Sequence, residues 1–338
     1  MKFALLALAV LIASPVWAVD PALVEAAKKE GSAVWYSGMI VNQIIRPMVE
    51  AFDAKYPGIK IQASRASGND NALKILNEGR ARRPMADLVD STTALAPLLD
   101  AGLVAVFRPT EAARYPAEAK DPDGYWTYPN VYYYTAAYNT NLVSAAEAPK
   151  TFDDLLDPKW KGKMAWTYDL TGGGPPGFIH NILTIKGREK GMDYLPAFAK
   201  QEPVVIPAAQ RVVLDKAISG EYPLALMTLS YHSTISAAKG APIQWLKMPP
   251  MVMSPNTISV LKNAPHPNAA RLLIEFILSE EGQKIMAAND YMPADPAVAV
   301  KDPDLQPAHG QFVVTVITPE QTRKDLAKWV ALYHELFR

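Results

Sequence analysis

The run SAVWYSG, residues 32–38, reads as a β-strand that ends in a Ser-Gly turn. Residues 43–56 carry apolar side chains at helical spacing, and Pro57-Gly58 ends that helix. The alternation continues with predicted strands at residues 59–63 and 86–90 and a helix between them at residues 71–82. This β-α-β-α-β order predicts an α/β fold with a mostly parallel sheet and helices on both of its faces.

The second half of the chain repeats this alternation. Strands are predicted at residues 163–168, 204–206 and 222–229, and helices at residues 178–186, 210–219 and 267–288. A last helix opens with Thr318-Pro319-Glu320-Gln321, which matches a capping box with proline at the first helical position. Residues 125–138 and 243–261 each connect the halves, so we predict two lobes joined by a hinge. Their predicted extents are residues 19–130 with about 250–295, and residues 131–249 with about 296–338.

The first 18 residues have the features of a secretory signal peptide. Lys2 precedes an apolar run at residues 3–12, and the small residue Ala18 marks the predicted cleavage point. That run is shorter than the roughly 20 residues that a membrane-spanning helix needs. The sequence therefore predicts a soluble protein that is exported to the periplasm.

Composition excludes several classes of function. The chain has no cysteine, which rules out disulfides, thiol nucleophiles and cysteine metal sites. Lysine and arginine together number 34 and are balanced by 34 acidic residues, so no basic excess points to a nucleic-acid partner. We expect a monomer without a cofactor that binds a small molecule.

A glycine-rich loop, TGGGPPGF at residues 171–178, contains the spacing G-x-G-x-x-G of dinucleotide-binding loops. Pro175 and Pro176 have no N–H to offer a pyrophosphate, and residues 178–191 read as helix and turn instead of the second strand that such a fold needs. We predict instead a loop for a small anion or polar ligand at the start of a helix. Its predicted donors are Thr171 and the amides of Gly172, Gly173 and Gly174.

Polar loops also follow the first three strands. They are Ser37-Gly38, Ser67-Gly68 and Ser91-Thr92. Ligands of open α/β sheets bind beyond the carboxyl ends of the strands. Together with the glycine-rich loop, these segments predict one polar cleft to which both lobes contribute.

Signatures of enzymes are weak, and we expect a binding protein. No G-x-S-x-G or H-E-x-x-H motif occurs, and the five histidines lack metal-ligand spacing. Ser230 and His232 form the one neighbouring pair of a nucleophile and a base. If they continue the preceding strand they face the same side, so an exported hydrolase stays open as an alternative.

Six segments, in order, resemble the periplasmic solute-binding proteins of ABC importers, in the iron(III)-binding class. They are ADL at 86–88 with LLDAGL at 98–103, YNTNL at 138–142, LLDPKWKGK at 155–163, GEYPLAL at 220–226 and SEEGQK at 279–284. The resemblance covers nearly the whole chain after residue 18. It implies a type II periplasmic-binding fold, in which two α/β lobes close over a ligand that is passed to a membrane permease.

The resemblance carries over only part of the family's binding site. Ferric members use a histidine, a glutamate and two adjacent tyrosines, which here fall near Ile40, at Ser91 or Thr92, and at Ser230-Tyr231. Because only Tyr231 matches, ferric iron held by Tyr231 and an exogenous anion is an alternative ligand. The glycine-rich loop, Gln210 and Thr228 fall at positions of the family's anion contacts.

Four further side chains are candidates for the cleft. Arg65 and Arg211 carry guanidinium groups that match phosphate or carboxylate geometry. Tyr168 is a candidate wall, and His232 stands beside Tyr231. The resulting hypothesis is a receptor for a small anionic or zwitterionic solute, such as a phosphonate, a phosphate ester or a carboxylate.

Overall fold

The computed structural model describes residues 19–337. The predicted signal peptide, residues 1–18, lies outside this range, as does the last residue. Within residues 19–337, no helix combines the length and the apolar character that a membrane span requires.

Strands and helices alternate along the described chain. The strands are β1 Ser32–Ser37, β2 Lys60–Arg65, β3 Leu88–Asp90, β4 Asn130–Asn139, β5 Met164–Thr167, β6 Val204–Ile206, β7 Leu224–Leu229, β8 Ile243–Trp245, β9 Met251–Pro255, β10 Ile258–Val260, β11 Met292–Pro293 and β12 Val314–Val316. The helices are α1 Pro21–Glu30, α2 Arg46–Lys55, α3 Gly68–Arg80, α4 Thr92–Asp100, α5 Pro175–Ala199, α6 Gln210–Ile218, α7 Ser230–Ala238, α8 Pro267–Leu278, α9 Glu280–Ala288, α10 Pro307–Gly310 and α11 Pro319–Leu336. α5 is broken at Gly187, whose φ of 73° and ψ of 163° are not helical.

The first sheet has the strand order β10-β3-β1-β2. β1 is parallel to β2 and β3, and β10 adds an antiparallel edge. Ser37 is paired with both Arg65 and Asp90, so the carboxyl ends of the three parallel strands are level with one another. The predicted β-α-β-α-β order and its α/β fold class are confirmed.

The second sheet has the order β12-β9-β4-β7-β5-β6. β5 is parallel to β6 and β7, which aligns the carboxyl ends of these three strands. The long strand β4 is antiparallel to β7, β8, β9 and β11 and makes this sheet mixed. A sheet of this kind is common in α/β proteins that carry antiparallel strands beside a parallel core.

Two strands carry the chain between the sheets, and the chain crosses a third time between α9 and β12. The chain enters the second sheet along β4 and leaves it along β9, which continues almost directly into β10 of the first sheet. The main chains of Asn130 and Asn256, at the first-sheet ends of these two strands, are joined by a hydrogen bond of 2.9 Å. The connections predicted at residues 125–138 and 243–261 contain these strands.

Each sheet packs against its own apolar core. Trp35, Phe52 and Phe276 are buried in the core of the first sheet, and Trp166 and Phe198 in that of the second. Burying one such side chain stabilises the fold by about 1.5–3 kcal/mol. The two tryptophans are therefore structural and do not line the cleft.

Two elements differ from the sequence prediction. The single helix expected at residues 267–288 is two helices, because Ser279 adopts an extended backbone and its hydroxyl caps α9 by accepting from the Gly282 amide. The segment at Ser230 is not a strand, because α7 begins at this residue directly after β7. Ser230 and His232 are then about 200° apart around the helix, which removes the shared face that the hydrolase alternative requires.

Candidate ligand-binding cleft

A cavity of about 160 Å³ lies between the two sheets. The loops after β1 and β3 reach it from the first sheet, the glycine-rich loop after β5 reaches it from the second, and β4 and β9 form its back. It is lined by Gly38, Asp90, Ser91, Thr92, Thr93, Tyr132, Tyr134, Thr171, Gly172, Gly173, Ser254, Pro255, Asn256 and Thr322. Predicted loops from distant parts of the sequence thus meet at one site.

The glycine-rich loop is held by its own polar groups. The Asp169 carboxylate accepts from the Thr171 amide at 3.1 Å, and the Thr171 hydroxyl accepts from the Gly173 amide at 3.3 Å. Gln210 braces the loop from α6 by donating to Asp169 at 2.9 Å and to the Gly173 carbonyl at 3.4 Å. Gly174 is the N-cap of α5, and the loop before it presents Thr171, Gly172 and Gly173 to the cavity. The Gly174 amide donates to the Thr171 carbonyl at 3.1 Å, so the amides of Gly173 and Gly174 are engaged within the loop and are not the free ligand donors that the sequence predicted.

Close approach explains the glycines of this loop. A Cβ atom on Gly177 would lie 1.8 Å from the Gly172 carbonyl oxygen, and one on Gly173 would lie 2.5 Å from Cζ of Tyr134. Neither glycine has a positive φ, so the requirement is steric. The G-x-G-x-x-G spacing therefore arises because the loop folds onto itself and onto β4.

The loop after β3 supplies hydroxyl groups from the first sheet. Ser91 caps α4 by accepting from the Ala94 amide at 3.3 Å, and its hydroxyl is 3.1 Å from that of Thr93. The Thr92 hydroxyl donates to the Pro255 carbonyl on β9. A Cβ atom on Gly68 would lie 2.0 Å from both the Ser91 and the Thr93 hydroxyl oxygens, so the starts of α3 and α4 are in direct contact.

Asp90 lines the cavity, but its side chain is fully buried and lies beneath the accessible surface on that side, the floor of the cavity. Its carboxylate accepts from the Trp35 indole at 2.7 Å, from the Asn256 amide at 3.1 Å and from the Gly38 amide at 3.3 Å. Burial raises the pKa of Asp90 to about 7, although these hydrogen bonds act in the opposite direction. It has no ion-pair partner among residues 19–337.

Six of the predicted site residues line the cavity. They are Gly38, Ser91, Thr92, Thr171, Gly172 and Gly173. Four more lie directly behind it: Ser37, Gly68, Gly174 and Gln210. These ten residues come from both sheets, and their contacts with a ligand stay a prediction.

The structure does not bring the other predicted residues to this cavity. Arg211 is paired with Asp215 at 2.8 Å and donates to Ser236. Tyr168 is 48% exposed and packs against Tyr333 of α11. Ser67 is the exposed cap of α3, Arg65 is exposed at the end of β2, and Thr228 is buried and donates to the Thr135 carbonyl.

Tyr231 and His232 lie at the start of α7, beside a group of tyrosines. The rings of Tyr231 and Tyr291 are 6.2 Å apart, Tyr291 is 6.4 Å from Tyr132, and Tyr132 is 6.4 Å from Tyr134. Burial raises the pKa of Tyr231 well above its usual value and that of Tyr291 to about 12. Burial and the nearby Arg211 lower the pKa of His232 to about 4, so its imidazole is neutral at physiological pH.

Several lining residues were missed at the sequence level. Asp90 is the last residue of a predicted strand, and strand ends are where ligands bind, so this signal was available. Tyr132, Tyr134 and Asn256 belong to the two connecting segments, and Thr322 comes from α11. Only the packing of the two sheets brings these four residues to the cavity.

This fold is that of the type II periplasmic binding proteins. The iron-bound HitA of Pseudomonas aeruginosa matches with a TM-score of 0.75 and 24% identity, over 90% of this chain and 99% of its own. AfuA of Actinobacillus pleuropneumoniae, solved with fructose-6-phosphate, matches with a TM-score of 0.74 and 18% identity, over 91% and 98%.

Sequence comparison leads to the same class. The Fe(3+)-binding periplasmic protein of Serratia marcescens is 22% identical over 279 residues, which cover 79% of each chain. The major ferric iron-binding protein of Neisseria meningitidis is 24% identical over 292 residues, 82% of this chain and 83% of its own. Residues 83–313, more than half of the chain, match the family model of the bacterial extracellular solute-binding proteins. The chain belongs to this family of solute-binding proteins, which are not enzymes, and the resemblance predicted from its sequence is confirmed.

Proposed function

We propose that this protein is the periplasmic receptor of an ABC importer and captures a small anionic or zwitterionic solute, such as a phosphonate, a phosphate ester or a carboxylate. The observation that carries this proposal is the cavity lined at once by the start of α4 from the first sheet and by the glycine-rich loop before α5 from the second. The N-terminus of a helix favours negative charge, and donors near it hydrogen-bond acidic oxygen atoms. Pro175 and Pro176 have no N–H, so the second sheet contributes donors from the loop and not from α5 itself.

Neutral groups of the cavity lining supply the hydrogen-bond donors for the ligand. In the part of the chain that the structure describes, the cavity lining contains hydroxyl, amide and phenol groups but no lysine or arginine. The acidic group of the ligand is therefore recognised by directed hydrogen bonds and not by a cationic side chain of the lining.

Hinge closure is the mechanism that we propose. The lobes are residues 19–130 with about 250–295 and residues 131–249 with about 296–338, and β4 and β9 form the hinge between them. A ligand that bridges Thr92 of one lobe and Thr171 of the other stabilises the closed form by contacts that the open form lacks. The closed receptor, acting as a monomer, then docks on its membrane permease. Support for a phosphate-bearing solute comes from AfuA, which was solved with fructose-6-phosphate.

The test is a ligand screen with a matched pair of variants. Thermal unfolding is recorded with phosphonates, sugar phosphates, organic acids, polyamines and Fe(III) complexes; a ligand at 100 times its Kd stabilises by about 2.7 kcal/mol. Thr171→Val should weaken binding of the hit by about 10-fold or more, because it removes a hydrogen bond to a charged group. Thr184→Val changes an exposed threonine of α5 in the same way and should bind normally. Binding unaffected by Thr171→Val contradicts the proposed site.

Ferric iron is the second candidate solute. The four neighbouring phenols of Tyr132, Tyr134, Tyr231 and Tyr291 favour it, because Fe(III) prefers anionic oxygen donors. Their raised pKa values oppose it, because each phenol must lose a proton to bind the metal.

Visible spectroscopy separates the two candidates. Iron bound by tyrosinate produces a charge-transfer band on addition of Fe(III) citrate, and Tyr231→Phe removes it while Tyr222→Phe, outside the cleft, keeps it. A protein that stays colourless and retains no iron eliminates the ferric candidate.

A further inference from the structure

The lining of the cavity contains an acidic side chain but no basic one, an arrangement that does not favour a purely anionic ligand. Its lining includes the aspartate Asp90 and, within the described residues, no lysine or arginine. A receptor specific for simple anions would gain affinity from a guanidinium or ammonium group in this position. The lining residue that ionises between acidic and neutral pH is Asp90, and its ionised form is negatively charged.

Asp90 is fixed in place beneath the floor. Trp35 and Asn256 hold its two carboxylate oxygens from opposite elements, β1 and the segment after β9. Because these donors are neutral, they orient the carboxylate without compensating its charge. An ionised carboxylate in a region of low dielectric constant attracts a nearby cation more strongly than it would in water.

The rest of the lining suits the acidic group of a ligand and the face of an ammonium group. The hydroxyl groups of Thr171 and Thr93 and the Gly172 amide suit an acidic group near the start of α4. The rings of Tyr132 and Tyr134 line the same cavity, and their phenols stay neutral because burial raises the pKa of both. Neutral aromatic faces attract ammonium groups.

We propose that the solute is a small zwitterion whose ammonium group lies over the floor above Asp90, beside Tyr132 and Tyr134, and whose acidic group meets the donors around Thr171. This inference rests on the proposed function and narrows it to one class of solute. The raised pKa of Asp90 agrees with it, because a buried carboxyl group without a cationic partner disfavours its ionised form and a ligand ammonium restores it.

The test compares molecules that differ only in the amino group. Binding of 3-aminopropionate against propionate, and of aminomethylphosphonate against methylphosphonate, is measured by calorimetry at pH 8, where Asp90 is largely ionised. The amine-bearing member of at least one pair should bind tenfold or more tightly than its partner. Asp90→Asn should reduce this preference, measured as the ratio of the two dissociation constants, at least fivefold. Asp193→Asn, an exposed aspartate on α5, is the matched control and should keep the preference.

Each outcome has a distinct meaning. Equal binding of both members in the wild-type protein overturns the zwitterion inference and leaves the proposed receptor function intact. A preference that survives in a folded Asp90→Asn protein also overturns it, because the charge of Asp90 is then irrelevant. If none of the four compounds binds at millimolar concentration, the proposed class of solute fails together with the inference. Since the first comparison uses the wild-type protein, it is decisive even if Asp90→Asn does not fold.

Discussion

Two alanine substitutions in the glycine-rich loop should differ in how much they reduce stability and how much they weaken ligand binding. In Gly177→Ala the new methyl group meets the Gly172 carbonyl oxygen at 1.8 Å, and in Gly173→Ala it meets Cζ and Oη of Tyr134 at 2.5 and 2.6 Å. Ordinary contacts of a Cβ atom begin near 3.4 Å, so something must move in both variants. What moves differs, because one neighbour is backbone and the other is the end of a side chain.

The geometry sets the expected magnitudes. Overpacking a well-packed site costs about 1–3 kcal/mol. Gly177→Ala should lose stability at the upper end of this range, because the Gly172 carbonyl is part of the backbone that leads into α5 and cannot rotate away independently. Gly173→Ala should lose only about 1 kcal/mol, because the Tyr134 ring can swing. That ring then moves within the cavity that it lines, so the affinity for ligand should fall about 10-fold or more.

Urea unfolding and calorimetry measure the two quantities separately. Gly79→Ala, on α3, is the control, because its methyl group would lie 3.5 Å from Leu103, an ordinary contact, and alanine is a better helix former than glycine. In a Tyr134→Leu background, Gly173→Ala should cause no further loss of stability. The reasoning is refuted if Gly177→Ala unfolds at the same urea concentration as Gly79→Ala, or if Gly173→Ala binds ligand as the wild-type protein does.

Three further predictions concern stability. Because burial raises the pKa of Asp90 to about 7 from near 4 in the unfolded chain, the folded state retains a proton that the unfolded state releases, and stability falls as pH rises between these values. In Asp90→Asn most of this pH-dependent loss of stability should be absent. The loss is on the order of a few kcal/mol, at ~1.4 kcal/mol per pKa unit. Identical pH profiles of urea unfolding for the wild-type protein and Asp90→Asn would contradict the assignment. Ser279→Ala should cost about 1 kcal/mol by uncapping α9, while Ser144→Ala, in an exposed turn, serves as its control. Arg323→Ala breaks an exposed ion pair with Asp100 and should change the unfolding free energy by about 1 kcal/mol or less.

Local signals in the sequence located most elements. The capping box at Thr318 and Gln321 is present as predicted, because both of its hydrogen bonds join residues three apart in the chain. The break at Ser279 was missed although Ser-Glu-Glu is a helix-start sequence, since the apolar spacing on both sides of it reads as one continuous helix. The start of α7 at Ser230 was also missed, because it follows the apolar run of β7 directly and an apolar run does not distinguish a strand from a buried helix.

The sequence by itself determined the alternation of strands and helices, the polar loops at their junctions and the membership in a solute-binding family. The strands, helices and loops depend on contacts between residues a few positions apart, which periodicity and capping residues indicate directly. Only the tertiary structure decided that Asp90 lies beneath the cavity and that Tyr134 faces Gly173. Those relations join residues that are far apart in the chain. Which side chains share a cavity is fixed by how the two sheets pack against each other.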